Sequence, residues 1–318
     1  MDYRKLLAGY KANQNDLKIT EYIDHFVQKI SETTIDNISL NSKQRQSFFE
    51  EIYSILLYSG IYIYPFDVHR MVFFNESSAE VAPMYQKTIH NIRRFLEYVY
   101  NYYSKSEATI DEKYFRSVNF NVAKDIYPIM EIGEYAKNIS EDDKHILVDS
   151  LSSDNHIINA GLFLYLMYNM SPFAYFNEFT SSLTVLMYLY KNGYSLLNCN
   201  CVFRNCVANT GKLRSLLKKQ NSISNFVSFF LDCQLQEIKD VYNYYQAPSI
   251  SAKSSFLDIS LSDSEIEIVQ KIKNDGLLGK IESDDDKISI RKLVKLGVVK
   301  VTKTRKYILK RYPKELIH

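Results

Sequence analysis

At 318 residues, 46% hydrophobic and 24% charged, the chain can bury a sizeable core and is expected to hold about two domains. No run approaches the ~18 uninterrupted apolar residues of a membrane span, and no apolar stretch follows the opening Met1-Asp2-Tyr3-Arg4-Lys5, so neither anchor nor secretory leader is expected and the compartment reads as cytoplasmic. The net charge of +2 hides an asymmetry: residues 287–318 carry 11 Lys and Arg against one acid, Glu315, which makes that segment +10 and the remainder −8.

In chain order, apolar residues recur at three- and four-residue spacing, which predicts helices. Ile19–Ile30 places Tyr22, Ile23, Phe26 and Val27 on one face, and Gln44–Leu57 does the same with Phe48, Phe49, Ile52, Tyr53 and Leu56. Met84–Tyr103 follows with Ile89, Ile92, Phe95, Leu96 and Val99, while its tyrosines (Tyr98, Tyr100, Tyr102, Tyr103) read as half-buried packing. The stretch Tyr114–Ile126 looks extended. Further helices are expected at Asp143–Leu151, Ile157–Asn169, Phe179–Lys191, Gly211–Lys219 and Ser224–Tyr245. Gly193 stands where a helix end favours a left-handed residue. Cys199, Cys201, Cys206 and Cys233 lack both the paired spacing and the nearby histidines of a zinc site, so no metal is expected and the thiols read as reduced.

Past Tyr245 the composition changes. Residues 247–262 are rich in Ser, Ala and Pro and read as a linker between a first domain, 1–246, and a second, 263–318. Leu261-Ser262-Asp263-Ser264-Glu265 is a helix start, a second helix is expected over Ser289–Leu296, and Asp284-Asp285-Asp286 reads as a loop before it. The stretch Gly297–Lys310 alternates like a β-hairpin with a basic tip. Helices followed by a basic hairpin resemble a winged-helix module. Arg291, Lys292, Lys295, Lys300, Lys303, Arg305, Lys306 and Lys310 are the candidate DNA contacts, since a basic patch is the electrostatic footprint of a phosphate-backbone binder. Docking of the basic face on the acidic remainder of the protein is the competing reading.

The segment most telling of function is Ser171-Pro172-Phe173-Ala174-Tyr175-Phe176-Asn177-Glu178-Phe179, between two apolar helix patterns. It resembles the signature loop of the Fic family of protein nucleotidyltransferases, His-Pro-Phe-x-Asp/Glu-Gly-Asn-Gly/Lys-Arg. Pro172, Phe173 and Asn177 match. Asn159–Tyr168 resembles the family's helix into the loop, and Thr180–Tyr194 the helix out of it, including its apolar-apolar-x-x-x-Gly-Tyr ending. The resemblance implies a mainly α fold: a Fic-like helical domain with a small β-hairpin flap near Tyr114–Ile126, plus the winged-helix-like module, which many Fic proteins carry.

The same resemblance implies lost chemistry. Ser171 stands where the family has its general base, and a serine hydroxyl is no base near neutral pH. Tyr175 replaces a magnesium-binding carboxylate. Phe176 puts a ring where backbone must approach phosphate closely, and Glu178 adds negative charge there. Phe179 removes the arginine clamp. Ordinary AMP transfer is therefore not expected and Asn177 reads as a turn or capping residue; if nucleotide binds, Asn177 and the N-terminal turn of the helix after Phe179 are the only retained contacts. The family's inhibitory helix, Ser/Thr-x-x-x-Glu-Gly/Asn, has its nearest counterpart in Ser77 and Glu80, one residue short, as a relic. Three functions follow: a degenerate Fic-fold regulator that binds DNA through residues 287–318, a pseudoenzyme that docks a protein on the old cleft and flap, and a divergent AMP transferase. Only the last would need ATP and magnesium, and a homodimer is compatible with all three.

Overall fold

The computed structural model describes residues 2–33, 37–103, 109–218, 223–246, 263–275, 283–295, 298–301 and 307–309. The chain divides into two compact units, Met1–Ala247 and Pro248–His318.

In the first unit, α1 (Tyr3–Gly9) and α2 (Gln14–Glu32) are followed by α3 (Asn37–Tyr58), α4 (Pro65–Phe74), α5 (Pro83–Tyr102) and α6 (Glu112–Ala123). Then come α7 (Glu141–Asp149), α8 (His156–Met170), α9 (Asn177–Lys191), α10 (Arg204–Ala208), α11 (Thr210–Lys218) and α12 (Ile223–Gln246). The expected helices from Ile19 to Tyr245 are all present, with ends shifted by a few residues. Helices α1, α4 and α10 are additional to those expected; α4 starts on Pro65 at its first position.

Helix α8 is the axis of this unit, with every residue from Ile157 to Met167 buried. It forms a hairpin with α9, buried from Phe179 to Tyr190, and it also packs on α12, which in turn covers α2. Gly161 permits the α8–α12 approach: a Cβ there would lie 3.3 Å from the Phe230 ring and 3.5 Å from Val227. The far end of α9 is closed by a Schellman motif, in which Gly193 N–H donates to Tyr190 O and Tyr194 N–H to Leu189 O, with Gly193 at φ +93°.

The stretch from Tyr114 to Ile126, expected to be extended and to supply a flap, is instead helix α6 as far as Ala123. Asp111 caps it by accepting from Tyr114 N–H, and Phe115, Val118, Asn119, Val122 and Ala123 form its buried stripe. The bulky, branched composition suggested a strand; the three- and four-residue burial period prevails. No hairpin is formed at this place. The extended segment beside the loop comes later, as a single antiparallel bridge between Tyr135 and Phe173. Of the tyrosine stripe, Tyr100 and Tyr103 pack on Tyr190, while Tyr98 and Tyr102 are exposed.

The second unit contains α13 (Asp263–Asp275), α14 (Asp284–Lys295) and an antiparallel pair, β1 (Val299–Val301) with β2 (Tyr307–Leu309), in which Lys300 is opposite Ile308. Ile268, Val269, Ile272, Ile290, Leu293, Val298 and Val299 make its own core. The Asp284–Asp286 run is not a loop: it forms the first turn of α14, where the carboxylates of Asp285 and Asp286 offset the positive end of the helix. Ser283 precedes it, its carbonyl accepting from Lys287 N–H.

Candidate functional site

The candidate site is the turn between α8 and α9. Ser171 ends α8 in the left-handed region at φ 46°, and Phe176 precedes α9 at φ 59°. Between them the chain is held from three sides. Asn177 closes the turn on itself: its Oδ1 accepts from Phe173 N–H and its Nδ2 donates to Phe173 O, both at 2.8 Å. Pro172 O accepts from Ala136 N–H at 2.8 Å, beside the Tyr135–Phe173 bridge, where the two rings stack 4.8 Å apart.

The third support is Asn119 of α6, buried to 1% exposure. Its Nδ2 donates to Tyr175 O at 2.8 Å and to Thr180 Oγ1 at 3.0 Å, and its Oδ1 accepts from Gly133 N–H at 2.8 Å. One amide thus joins the turn, the start of α9 and the segment that bridges to the turn. Arg116, also on α6, holds that segment by donating to Gly133 O at 2.8 Å and pairing with Glu134. Gly133 is required by φ +72° and by Arg116 O and Phe120 Cβ, each 3.1 Å from where its Cβ would be.

Aromatic rings occupy the space over the turn. Tyr175 stacks on Tyr127 with centroids 3.9 Å apart, and its hydroxyl donates to Glu131 Oε2 at 2.8 Å. That hydrogen bond, and the carboxylate charge behind it, raise the Tyr175 pKa. Phe176 meets Tyr127 edge-on at 5.4 Å and Phe179 at 4.9 Å. Phe179 is 2% exposed and belongs to the main core. Glu178 is half-buried in the first turn of α9, whose free N–H groups would otherwise face an anion. Ser171 is exposed, and its hydroxyl lies 3.2 Å from Tyr168 O, to which it donates.

The structure therefore brings Ser171, Pro172, Phe173, Tyr175, Phe176, Asn177, Glu178 and Phe179 together in one turn. Ser77 and Glu80 are not on a helix: both are exposed in the connection between α4 and α5, where Ser78 donates to Asp67 and accepts from Glu80 N–H. Sequence reasoning missed Asn119, Arg116, Tyr127 and Glu131. Asn119 was findable once α6 is assigned, because it is the polar residue on an otherwise apolar stripe.

The turn between two buried antiparallel helices, flanked by α6 and a bridging segment, has counterparts among solved structures. A Fic family protein from Desulfovibrio desulfuricans G20 superposes with a TM-score of 0.59 at 13% identity, over 94% of this chain and 97% of that one.

This chain has the Fic fold.

Fic-1 from C. elegans matches with a TM-score of 0.60 at 14% identity over 72% of each chain. A Fic domain containing signaling protein from Bacteroides thetaiotaomicron matches at 0.56 and 15%, over 73% of this chain and 99% of that one. No protein-family model and no curated protein matches the sequence. At such identities the backbone arrangement is what is shared, and the chemistry must be read from this chain's own side chains. Among the candidate DNA contacts, Arg291 and Lys300 are exposed. Lys292 is committed to the buried Glu265 carboxylate at 2.8 Å. Lys303, Arg305, Lys306, Lys310 and the side chain of Lys295 lie outside the described residues.

Proposed function

We propose that this chain is a catalytically silent Fic-fold protein that acts by binding, with its basic C-terminal unit as the contact to DNA. The observation that carries the first half is the occupancy of the turn by its own side chains. Asn177 is bonded to Phe173, Tyr175 to Glu131, and Phe179 is in the core, so base, metal ligand and phosphate clamp are all lacking. The carboxylates beside the turn do not replace these parts: Glu131 already accepts from Tyr175, and Glu178 sets negative charge against the first N–H groups of α9, where a phosphate would come. Titration with ATP and magnesium is expected to give no binding at this turn; transfer of AMP to a protein hydroxyl would reverse the proposal.

For the second half, the charge of +10 over residues 287–318 is the support. Asp285 and Asp286 in the first turn of α14 oppose phosphate at that helix end, so the exposed Arg291 and Lys300 are the favoured contacts. Binding to a random-sequence duplex should fall with salt by about 0.9 log units per log unit of salt for each phosphate contacted. A salt-independent signal, or none, would remove DNA from the proposal.

A second reading is protein docking at the old cleft. Ile129 and Met130 stand 72% and 91% exposed in the turn that ends in Glu131, the partner of Tyr175. Two adjacent exposed apolar side chains beside the site favour a protein contact there. Met130→Asp would weaken a captured partner and leave duplex binding unchanged.

A further inference from the structure

On the side of α6 away from the turn lies a pocket of about 440 Å³, within the range of small-ligand sites. It is a groove between two helices, and both line it at the same spacing. Helix α5 contributes Asn91, Arg94, Phe95 and Tyr98; helix α6 contributes Tyr114, Ser117, Val118 and Asn121, with Lys124 just past its end. Positions i, i+3, i+4 and i+7 make one face of a helix. Each helix also carries an apolar stripe: Ile89, Ile92, Leu96 and Val99 on α5, and Phe115, Val118 and Val122 on α6, with Val118 shared between that stripe and the groove floor. The groove stripes are mostly polar and aromatic, a composition that packing of α5 against α6 does not call for.

The lining is graded along its length. Asn91 donates to Val122 O and Lys124 O, both at 2.9 Å, which fixes the end of α6 against α5 and sets Lys124 at that end of the groove. Arg94 and Lys124 are exposed, neither forms an ion pair among the described residues, and no acid lines the groove. At the other end Phe95, Tyr98 and Tyr114 make an aromatic wall. The Tyr114 hydroxyl is itself buried and has no hydrogen-bond partner among the described residues, so Tyr114 contributes its ring to this wall. From Asn91 to Tyr98 the helix rises about 10 Å. A ligand that fits carries an anionic group at one end and a flat ring with hydrogen-bonding edges at the other.

We infer that the α5–α6 groove is a binding site for a mononucleotide-like ligand, its phosphate between Arg94 and Lys124 and its ring against Tyr98 and Tyr114. The site is separate from the α8–α9 turn, and the inference stands whether or not the turn is catalytically silent. Ser117 and the free Oδ1 of Asn121, whose Nδ2 is bonded to Ser117 O, offer polar partners between the two ends.

The test is titration of the full chain with the 5′-monophosphates of adenosine and cytidine, and with inorganic phosphate, followed by calorimetry. A monophosphate is expected to bind. Arg94→Gln and Lys124→Gln should each weaken it about tenfold, the loss of one charge-assisted hydrogen bond. Both side chains are exposed, so melting temperatures should be unchanged. Tyr98→Ala should weaken the nucleotide while leaving inorganic phosphate as it was. No binding of either monophosphate, binding indifferent to both charge removals, or inorganic phosphate as tight as the nucleotides would each overturn the assignment.

Discussion

Glu51 is a carboxyl that the fold keeps out of water. It is fully buried near Cys201, Tyr100 and Glu237, and burial raises its pKa to about 8 from an ordinary 4.5. The folded state thus retains a proton that the unfolded chain releases. Its contribution is fully present below about pH 4.5 and is lost progressively as pH rises through 8, by about 1.4 kcal/mol per unit in between. Glu51→Gln, with no proton to lose, should flatten this slope and make the protein more stable at pH 8, as read by chemical denaturation at pH 6 and pH 8. An unchanged slope would show that the carboxyl finds compensation elsewhere. Asn119 makes the opposite case, a buried polar group with every bond formed. Asn119→Ala strands Gly133 N–H and Tyr175 O, each costing about 1–3 kcal/mol. A loss below 1 kcal/mol in the same assay would mean that water or a shifted side chain replaces the amide.

Among the elements, the hairpin of α8 and α9 decides what the site can do. Phe179 faces the core from the first turn of α9, so Phe179→Arg inserts an unpaired guanidinium among Phe176 and its neighbours. Burial of an unpaired charge costs several kcal/mol, and the expected result is a lowered melting temperature with no AMP transfer. Transfer by that single variant would contradict the idea that several parts of the turn are altered together. The hairpin was legible beforehand because Ile157–Asn169 and Thr180–Tyr194 are long, apolar and ended by Gly193. Helix α6 was not, because Tyr114-Phe115 and the valines of its stripe favour strands as strongly as helices, and the cap that decides, Asp111, precedes the stretch that was weighed. The acids of α14 were misread for a related reason: an Asp run suits a loop as well as a first helical turn. Asn119 stayed hidden behind the misread helix, since a lone Asn has meaning only once its stripe is known.

For the whole molecule the ruling quantity is charge. A segment of +10 in a chain of net +2 keeps the protein weakly charged overall while giving one part a strong local field. Arg291→Glu and Lys300→Glu together should lower duplex affinity and reduce the steepness of its salt dependence. They should leave the stability of the first unit untouched, because the second unit has its own core around Val269 and Leu293. A salt slope equal to that of the unmodified chain would assign the contact to other groups.

The aromatic packing over the turn also bears on how its residues can change. Tyr127, Tyr175, Phe176 and Phe179 touch in series, so no one of them can change alone at little cost. Glycine at 176 would open a void beside Tyr127, an acid at 175 would face Glu131, and arginine at 179 would lie in the core. The rings therefore act as a ratchet, and any other set of residues in this turn would need several simultaneous changes.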